Sequence, residues 1–273
     1  MKVYISADIE GVGGVVNKGQ AWSSGADYGR ARKLMTEEVN AAVRGAAAAG
    51  ADEILVNDSH GSMTNILIEE LDPAARLVSG SLKALGMMER VDGGFDAALL
   101  VGYHARQGTG GVMSHSYNSG AVQELRVNGR VLGELELNAL LAAHFGVPVV
   151  FASGDDVLAA QARAFDPGIA FLVVKEAISR NCADCMPLSR VRASMEAAVE
   201  AALRAPRPDP SARRIQGAVV VEQRFMNSGM AEICLLVPGV ELVAGDTIRF
   251  ESTNIVEAYK LKAALTILAG TTA

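Results

Sequence analysis

Short, wholly apolar runs alternate with helical segments through the first two thirds of this chain. Val3-Tyr4-Ile5 precedes a stretch from Tyr28 to Ala49 in which Leu34, Met35, Val39, Ala42 and Val43 recur at helical spacing. Glu53 to Asn57, Ala97 to Val101, Val147 to Ala152 and Ile169 to Val174 continue the series of strands. Strands this short, without polar alternation, are buried on both faces, and the helices between them are the crossovers that parallel pairing requires. The expected fold class is therefore α/β: a mainly parallel, three-layer sheet with helices on both faces, plus a smaller C-terminal α+β lobe. Gln123 to Val131 departs from the pattern by alternating about Asn128-Gly129, which signals a hairpin.

After Leu203 the composition changes, and the polar stretch Arg204 to Arg214 carries Pro206, Pro208 and Pro210. This places a boundary between a catalytic α/β domain at 1–205 and a smaller lobe at 215–273, which can also be one continuous domain. In the lobe, Ala218 to Phe225 and Glu232 to Val237 read as strands joined through Asn227-Ser228-Gly229, ahead of a final helix from Asn254 to Leu268.

Composition excludes several partners. A net charge of -6 leaves no basic footprint for nucleic acid, and 5% aromatic residues offer no stacking platform for bases. The alanine-rich helix is interrupted by Arg44 and Gly45, so no membrane span is expected. The N-terminus enters a strand without a charged leader, which points to a cytoplasmic protein. The 3 cysteines make no disulfide framework: Cys182-Ala-Asp-Cys185 is a lone CxxC, and Cys234 lies on an expected strand.

The chemistry gathers where the strands end. Asp8 and Glu10 follow the first apolar run, and two residues apart on a strand they face one site. His60 follows the second strand in Asn57-Asp-Ser-His-Gly61, and His104 follows Ala97 to Val101 in Gly102-Tyr-His104. Glu134 and Glu136 open a helix running to His144, and either carboxylate completes a cluster. Each piece alone has an ordinary structural explanation, as a solvated edge, a helix cap or a hydrogen-bonded histidine. Together they occupy the carboxyl ends of parallel strands, where open α/β sheets hold their ligands. Oxygen and imidazole donors suit zinc or manganese, and five ligands exceed one tetrahedral ion, so two metals sharing a carboxylate are expected. His115, in the glycine-flanked loop Gly111-Val-Met-Ser-His-Ser116, fits acid/base or nucleophilic work better than ligation.

Other features rank lower. Gly11-Val-Gly-Gly14 has Val16 where a dinucleotide loop needs its third glycine, and Asp8 and Glu10 would repel a pyrophosphate. Lys175 and Arg180, placed after a strand, can meet a substrate carboxylate or form surface ion pairs. Asp155-Asp156 can cap a helix or support the site, and His144 reads as core or interface.

The chain resembles the bacterial D-aminopeptidases encoded with dipeptide-transport systems, a family of two-zinc, self-compartmentalising peptidases. The resemblance is carried by Ser6-Ala-Asp-Ile-Glu-Gly11, Leu55-Val-Asn-Asp-Ser-His60, Leu100-Val-Gly-Tyr-His-Ala-Arg106 and Gly111-Val-Met-Ser-His-Ser116. It continues through Gly133-Glu-Leu-Glu-Leu-Asn-Ala139, Ser153-Gly-Asp-Asp156, Val174-Lys-Glu-Ala-Ile-Ser-Arg180, Ala231-Glu-Ile233 and Pro238-Gly239. It implies that Asp8 bridges two zinc ions, Glu10 and His104 holding one and His60 with Glu134 the other. It further implies His115 as nucleophile and a homodecamer whose sites face an inner chamber. The segment between His115 and Glu134 is one residue longer than the family pattern. The expected activity is removal of the N-terminal residue from short peptides, such as D-Ala-D-Ala. Alternatives are a metal-dependent amidase, an L-aminopeptidase, or a non-catalytic peptide- or metal-binding partner of a transporter.

Overall fold

The computed structural model describes residues 1–272. Twelve strands follow in chain order. They are β1 Lys2–Ala7, β2 Glu53–Asp58, β3 Ala75–Val78, β4 Ala97–Val101, β5 Val122–Val127, β6 Arg130–Val131, β7 Val149–Asp155, β8 Ala170–Ser179, β9 Cys182–Cys185, β10 Val219–Phe225, β11 Glu241–Ala244 and β12 Thr247–Ser252. The helices are α1 Lys18–Ala21, α2 Tyr28–Ala48, α3 Glu134–His144, α4 Asp156–Phe165, α5 Leu188–Arg204, α6 Ser228–Cys234 and α7 Ile255–Gly270. Among the described residues, no helix is long and apolar enough to cross a membrane.

The first sheet runs β3-β2-β1-β4-β7-β8-β9, parallel except for the terminal hairpin of β8 and β9. Successive side chains point to opposite faces. Val3, Ile5 and Ala7 of β1 join one core, with Ala97, Leu99 and Val101 of β4, under α2 and α5. Tyr4, Ala98 and Leu100 turn to a second core shared with α3, α7 and the other sheet. Burial on both faces explains why these strands lack polar alternation.

The second sheet runs β11-β12-β10-β5-β6 and is antiparallel. Its β10 pairs with β5 of the Asn128-Gly129 hairpin, so strands from both sides of the proline-rich stretch share one sheet. The segment expected as a strand at Glu232 to Val237 begins instead within α6. Asn227 accepts a hydrogen bond from the Met230 N–H and starts the helix. Met230, Ala231 and Cys234 are then buried at helical spacing, placing Cys234 on a helix rather than a strand.

Strand order reverses direction between β1 and β4. β2 and β3 stack on one side of β1, and β4, β7 and β8 on the other. The loops leaving β1 and β4 therefore part around a crevice at the carboxyl edge. Gly11 is what lets these loops meet, since a Cβ there would stand 1.9 Å from the Tyr103 carbonyl oxygen. The glycine-rich stretch after β1 thus serves close backbone approach.

Helices α2 and α5 are pressed together at Gly45, where a Cβ would lie 2.4 Å from the Glu196 carbonyl oxygen and 2.9 Å from Val199 Cβ. Helix propensity alone favours Gly45→Ala by about 1 kcal/mol. Overpacking costs about 1–3 kcal/mol and should win. Urea unfolding should show Gly45→Ala less stable than the parent; a more stable variant would refute this packing argument.

Candidate metal centre

β1 ends at Ala7, so Asp8 and Glu10 occupy the following turn rather than a strand pleat. The turn still aims both carboxylates at one point, because Asp8 N–H bonds to the Val101 carbonyl and Gly11 N–H to the Gly102 carbonyl. His60 enters from the loop after β2. Its Nε2 lies 2.8 Å from the Ala21 carbonyl oxygen and donates to it, which turns Nδ1 toward Asp8 Oδ1 at 3.2 Å and Glu10 Oε2 at 2.9 Å.

Asp58 fixes this loop. Its carboxylate accepts from the backbone N–H groups of Asn65 and Ile66 and from the Asn65 side chain. Asn65 in turn donates to the His60 carbonyl.

His104 follows β4 and is anchored through Nδ1, 3.0 Å from the Ala105 carbonyl oxygen. Its Nε2 faces Asp8 Oδ2 at 3.5 Å and Glu134 Oε1 at 3.4 Å. Glu134 and Glu136 separate cleanly, because residues two apart on a helix point to different sides. Glu136 Oε2 accepts the Gly133 N–H at the start of α3, whereas Glu134 reaches the histidines.

The five candidate ligands of the sequence therefore converge. Their side chains group as His60 beside Glu10 and His104 beside Glu134, with Asp8 touching both histidines. The family resemblance pairs them the other way; both groupings use the same donors and share Asp8.

Two donor atoms here, Glu10 Oε2 and His104 Nε2, are buried without a hydrogen-bond partner. An orphaned carboxylate oxygen beside an orphaned imidazole nitrogen is costly unless a cation takes their lone pairs. Two sets of donor atoms meet within metal-binding range, Asp8 with Glu10 and His104, and His104 with His115 and Glu134. The donor set fits a divalent metal of the zinc or manganese type.

The electrostatics of the cluster express the same demand for positive charge. Burial, then the nearby Glu10, pushes Asp8 up to about 7. Burial also opposes charge on His104, but Glu134, Asp8 and Glu10 outweigh it and lift the imidazole to about 10.

His115 differs from the other two histidines. Its ring stacks on His104 with centroids 4.0 Å apart, and its Nδ1, 2.9 Å from the Met113 carbonyl oxygen, donates to it. Nε2 is left as an acceptor at 4.0 Å from Glu10 Oε1 and 3.9 Å from Glu134 Oε1. Burial and the neighbouring His104 hold it below the usual histidine range, so it is neutral near pH 7. A cavity of about 340 Å³ opens above these groups, with Trp22, Tyr28 and Tyr117 among its walls.

The loop bearing His115 is held by residues the sequence left open. Asp155 caps α4 through the Leu158 N–H and also accepts the Val112 N–H, combining its two expected roles. Arg180 donates to the Ser114 carbonyl, while its own carbonyl accepts the Met113 N–H.

Lys175 sits inside β8, buried, and not on a loop facing substrate. Its Nζ donates to the carbonyls of Glu10, Val12 and Val15 at 2.6, 2.9 and 2.5 Å, clasping the ligand turn. Glu38 of α2 braces the same turn by accepting the Gly13 N–H. Nothing in the local sequence marks the Lys175 contacts, which join residues more than a hundred positions apart. His144 is half-buried at the end of α3, edge-on to Phe145, away from the centre. Cys182 and Cys185 stay free on β9.

Buried carboxylates and imidazoles at the switch point of a parallel sheet, with a neutral histidine beside them, define a metal-dependent hydrolytic centre. The D-aminopeptidase family of peptidases matches residues 1–264, and the chain belongs to that family. A D-aminopeptidase of Bacillus subtilis (strain 168) is 38% identical over 271 residues, covering 98% of each chain. The solved structure of Zn-dependent D-aminopeptidase DppA from Bacillus subtilis, described as a self-compartmentalizing protease, superposes with a TM-score of 0.94. That match has 37% identity and spans 99% of this chain and 98% of the other.

Two predictions follow the turn's supports. Lys175→Met removes no ligand, yet it should weaken zinc binding about 10- to 100-fold, as loss of a ligand-orienting contact does. Competition with a chromophoric chelator measures this, and unchanged affinity would remove Lys175 from the centre. Burial raises Glu38 to about 7 despite the Gly13 hydrogen bond and Lys175. Its folded pKa exceeds the unfolded value, so its contribution is full below pH 4.5 and is lost as pH rises through 7. Glu38→Gln should therefore gain about 2 kcal/mol relative to the parent between pH 5 and pH 7 in urea unfolding. A constant difference would sink the assignment.

Proposed function

We propose that this protein is a metal-dependent aminopeptidase that removes the N-terminal residue from short peptides of D-amino acids, D-Ala-D-Ala among them. The reading is carried by the orphaned donors Glu10 Oε2 and His104 Nε2 converging with Asp8, His60 and Glu134 beside His115, whose Nδ1 is engaged by the Met113 carbonyl. Family membership and the D-aminopeptidase relatives support the peptide substrate and its D configuration.

Asp8, Glu10, His60, His104 and Glu134 would hold two zinc ions per subunit. Bound there, zinc polarises a scissile carbonyl and acidifies water. Asp8 reaches both histidines and is the residue placed to be shared. The carbonyl anchors at Ala21 and Ala105 fix the His60 and His104 tautomers, leaving Nδ1 and Nε2 respectively toward the carboxylates.

His115 acts through Nε2, the lone pair left when Nδ1 donates to Met113. Attack on the carbonyl and removal of a proton from water use that same atom. Glu10 and Glu134 flank it and stabilise the positive charge it gains. In the route that takes a proton from water, the same nitrogen then returns it to the leaving amine; in the route of direct attack Nε2 is acylated, and the amine's proton comes from water. Trp22 and Tyr28 at the cavity wall offer apolar surface to a peptide side chain.

We further propose that the working form is a cytoplasmic homodecamer with its sites facing an inner chamber. The family resemblance and the self-compartmentalizing description of DppA support this assembly.

Zinc-loaded protein incubated with D-Ala-D-Ala should release alanine, and a chelator should stop it. Release from L-Ala-L-Ala instead would move the substrate class; release from neither, at full metal occupancy, would reject the aminopeptidase. His115→Ala should keep both metals by elemental analysis and lose turnover about 10²- to 10⁴-fold. His60→Ala should lose metal as well as turnover. A His115→Ala enzyme with intact turnover would remove that residue from the chemistry.

A further inference from the structure

A second groove of about 610 Å³ adjoins the metal-centre cavity, and Gly61, Met63, Met87 and Tyr117 belong to the walls of both. The two spaces differ in charge. The first presents Asp8, Glu10 and Glu134. The second is walled mainly by apolar side chains, Leu82, Ala263, Ala264 and Ile267 among them, and carries Lys83, Lys260 and Lys262 with no carboxylate. In a chain of net charge -6, an apolar groove whose charged side chains are all lysines is a marked local asymmetry.

The three lysines are not equivalent. Lys83 already donates to Asn57 Oδ1 and to the carbonyls of Asp58 and Val78. Lys260 is exposed to solvent. Lys262 is only 2% exposed, and among the described residues its Nζ makes no hydrogen bond and no ion pair.

The Lys262 ammonium lies 2.9 Å from the Tyr117 ring centroid and 4.5 Å from that of Tyr259. Two aromatic faces recover part of the lost hydration, but not the hydrogen bonds that three N–H donors seek. Burial pushes this amine well below the usual lysine range, with Glu134 partly offsetting it. A methionine would fill the same volume without that cost. The position is explained when an anion reaches the groove. Tyr117 ties it to the chemistry, since its N–H bonds to Glu134 Oε1 while its ring lies under Lys262.

We propose that Lys262 binds the C-terminal carboxylate of a short peptide whose N-terminal residue occupies the metal-centre cavity. The peptide's apolar side chains lie along Leu82, Ala263 and Ile267. This rests on the aminopeptidase reading and deepens it by naming the substrate class: short, apolar peptides with a free carboxyl terminus. The acidic cavity suits the ammonium end of such a peptide and the basic groove its carboxylate end, which also fixes the direction of binding.

The test compares D-Ala-D-Ala with its C-terminal amide on the zinc-loaded full chain. A hydrogen-bonded charge pair is worth about 10- to 100-fold, so the free acid should lead by that factor in kcat/KM, mainly through KM. Lys262→Met should bring the two substrates to near parity, and Lys262→Arg should keep part of the preference. A lysine that merely props Tyr117 would instead lower both substrates by the same factor in the methionine variant, which would overturn the inference. If the variants do not fold, the parent enzyme decides: equal kcat/KM for acid and amide overturns the inference and leaves the aminopeptidase standing. Turnover of neither substrate overturns both.

Discussion

Mutual repulsion of Asp8, Glu10 and Glu134, buried together at the carboxyl edge of a parallel sheet, is the constraint around which this molecule is arranged. Three carboxylates in a space nearly closed to water are tolerable only with positive charge among them. His60 and His104, held by Ala21 and Ala105, turn their second nitrogens toward the carboxylates and supply part of it when those nitrogens are protonated. The orphaned atoms of Glu10 and His104 show that protein groups alone do not satisfy the cluster. A divalent metal would, and its hydrolytic chemistry would follow from the same electrostatics.

The supports make sense on this basis. Ligands on a turn stay in place only if the turn is rigid, and this one is held by Lys175 from within β8, by Glu38 from α2 and by backbone contact at Gly11. Each support buries a polar or charged group at some cost in stability, raising Glu38 and depressing Lys175 to about 8. His115 is held by separate means, through Asp155, Arg180 and its own bond to Met113. The candidate ligands come from the segments after β1, β2 and β4 and from α3, the His115 loop is tied to β7 and the β8–β9 turn, and Lys175 of β8 braces the ligand turn as well. Both β8 and the hairpin it forms reach toward the centre without contributing a ligand.

How much was legible depended on how local the signal was. The convergence of the candidate ligands was legible in part because Asp8, Glu10, His60 and His104 each follow an apolar run closely in sequence, as Asp8 follows Val3-Tyr4-Ile5 and His104 follows Ala97 to Val101. Glu134 could be separated from Glu136 by residues alone only through the family resemblance; the structure separates them by helix geometry and the Gly133 hydrogen bond. The run Glu232 to Val237 reads as a strand because its apolar residues are contiguous, yet the Asn227 cap and the burial of Met230 and Cys234 favour α6. Lys175 was misplaced because the break expected after Val174 does not occur: β8 continues to Ser179 and pairs with β9. The partnership of Lys262 with Tyr117 joins residues from distant segments and had no sequence signal at all.

By itself the sequence determined the parallel α/β class and pointed to the residues that converge at the strand ends. Periodicity and strand-end chemistry are local properties that survive in a linear text. Only the tertiary structure decided which donors face each other, which polar atoms are left without partners, and which lysine clasps the ligand turn. Those outcomes depend on strand order and on the approach of backbones at Gly11 and Gly45, where the packing of distant segments, rather than any neighbouring residue, fixes distance and burial.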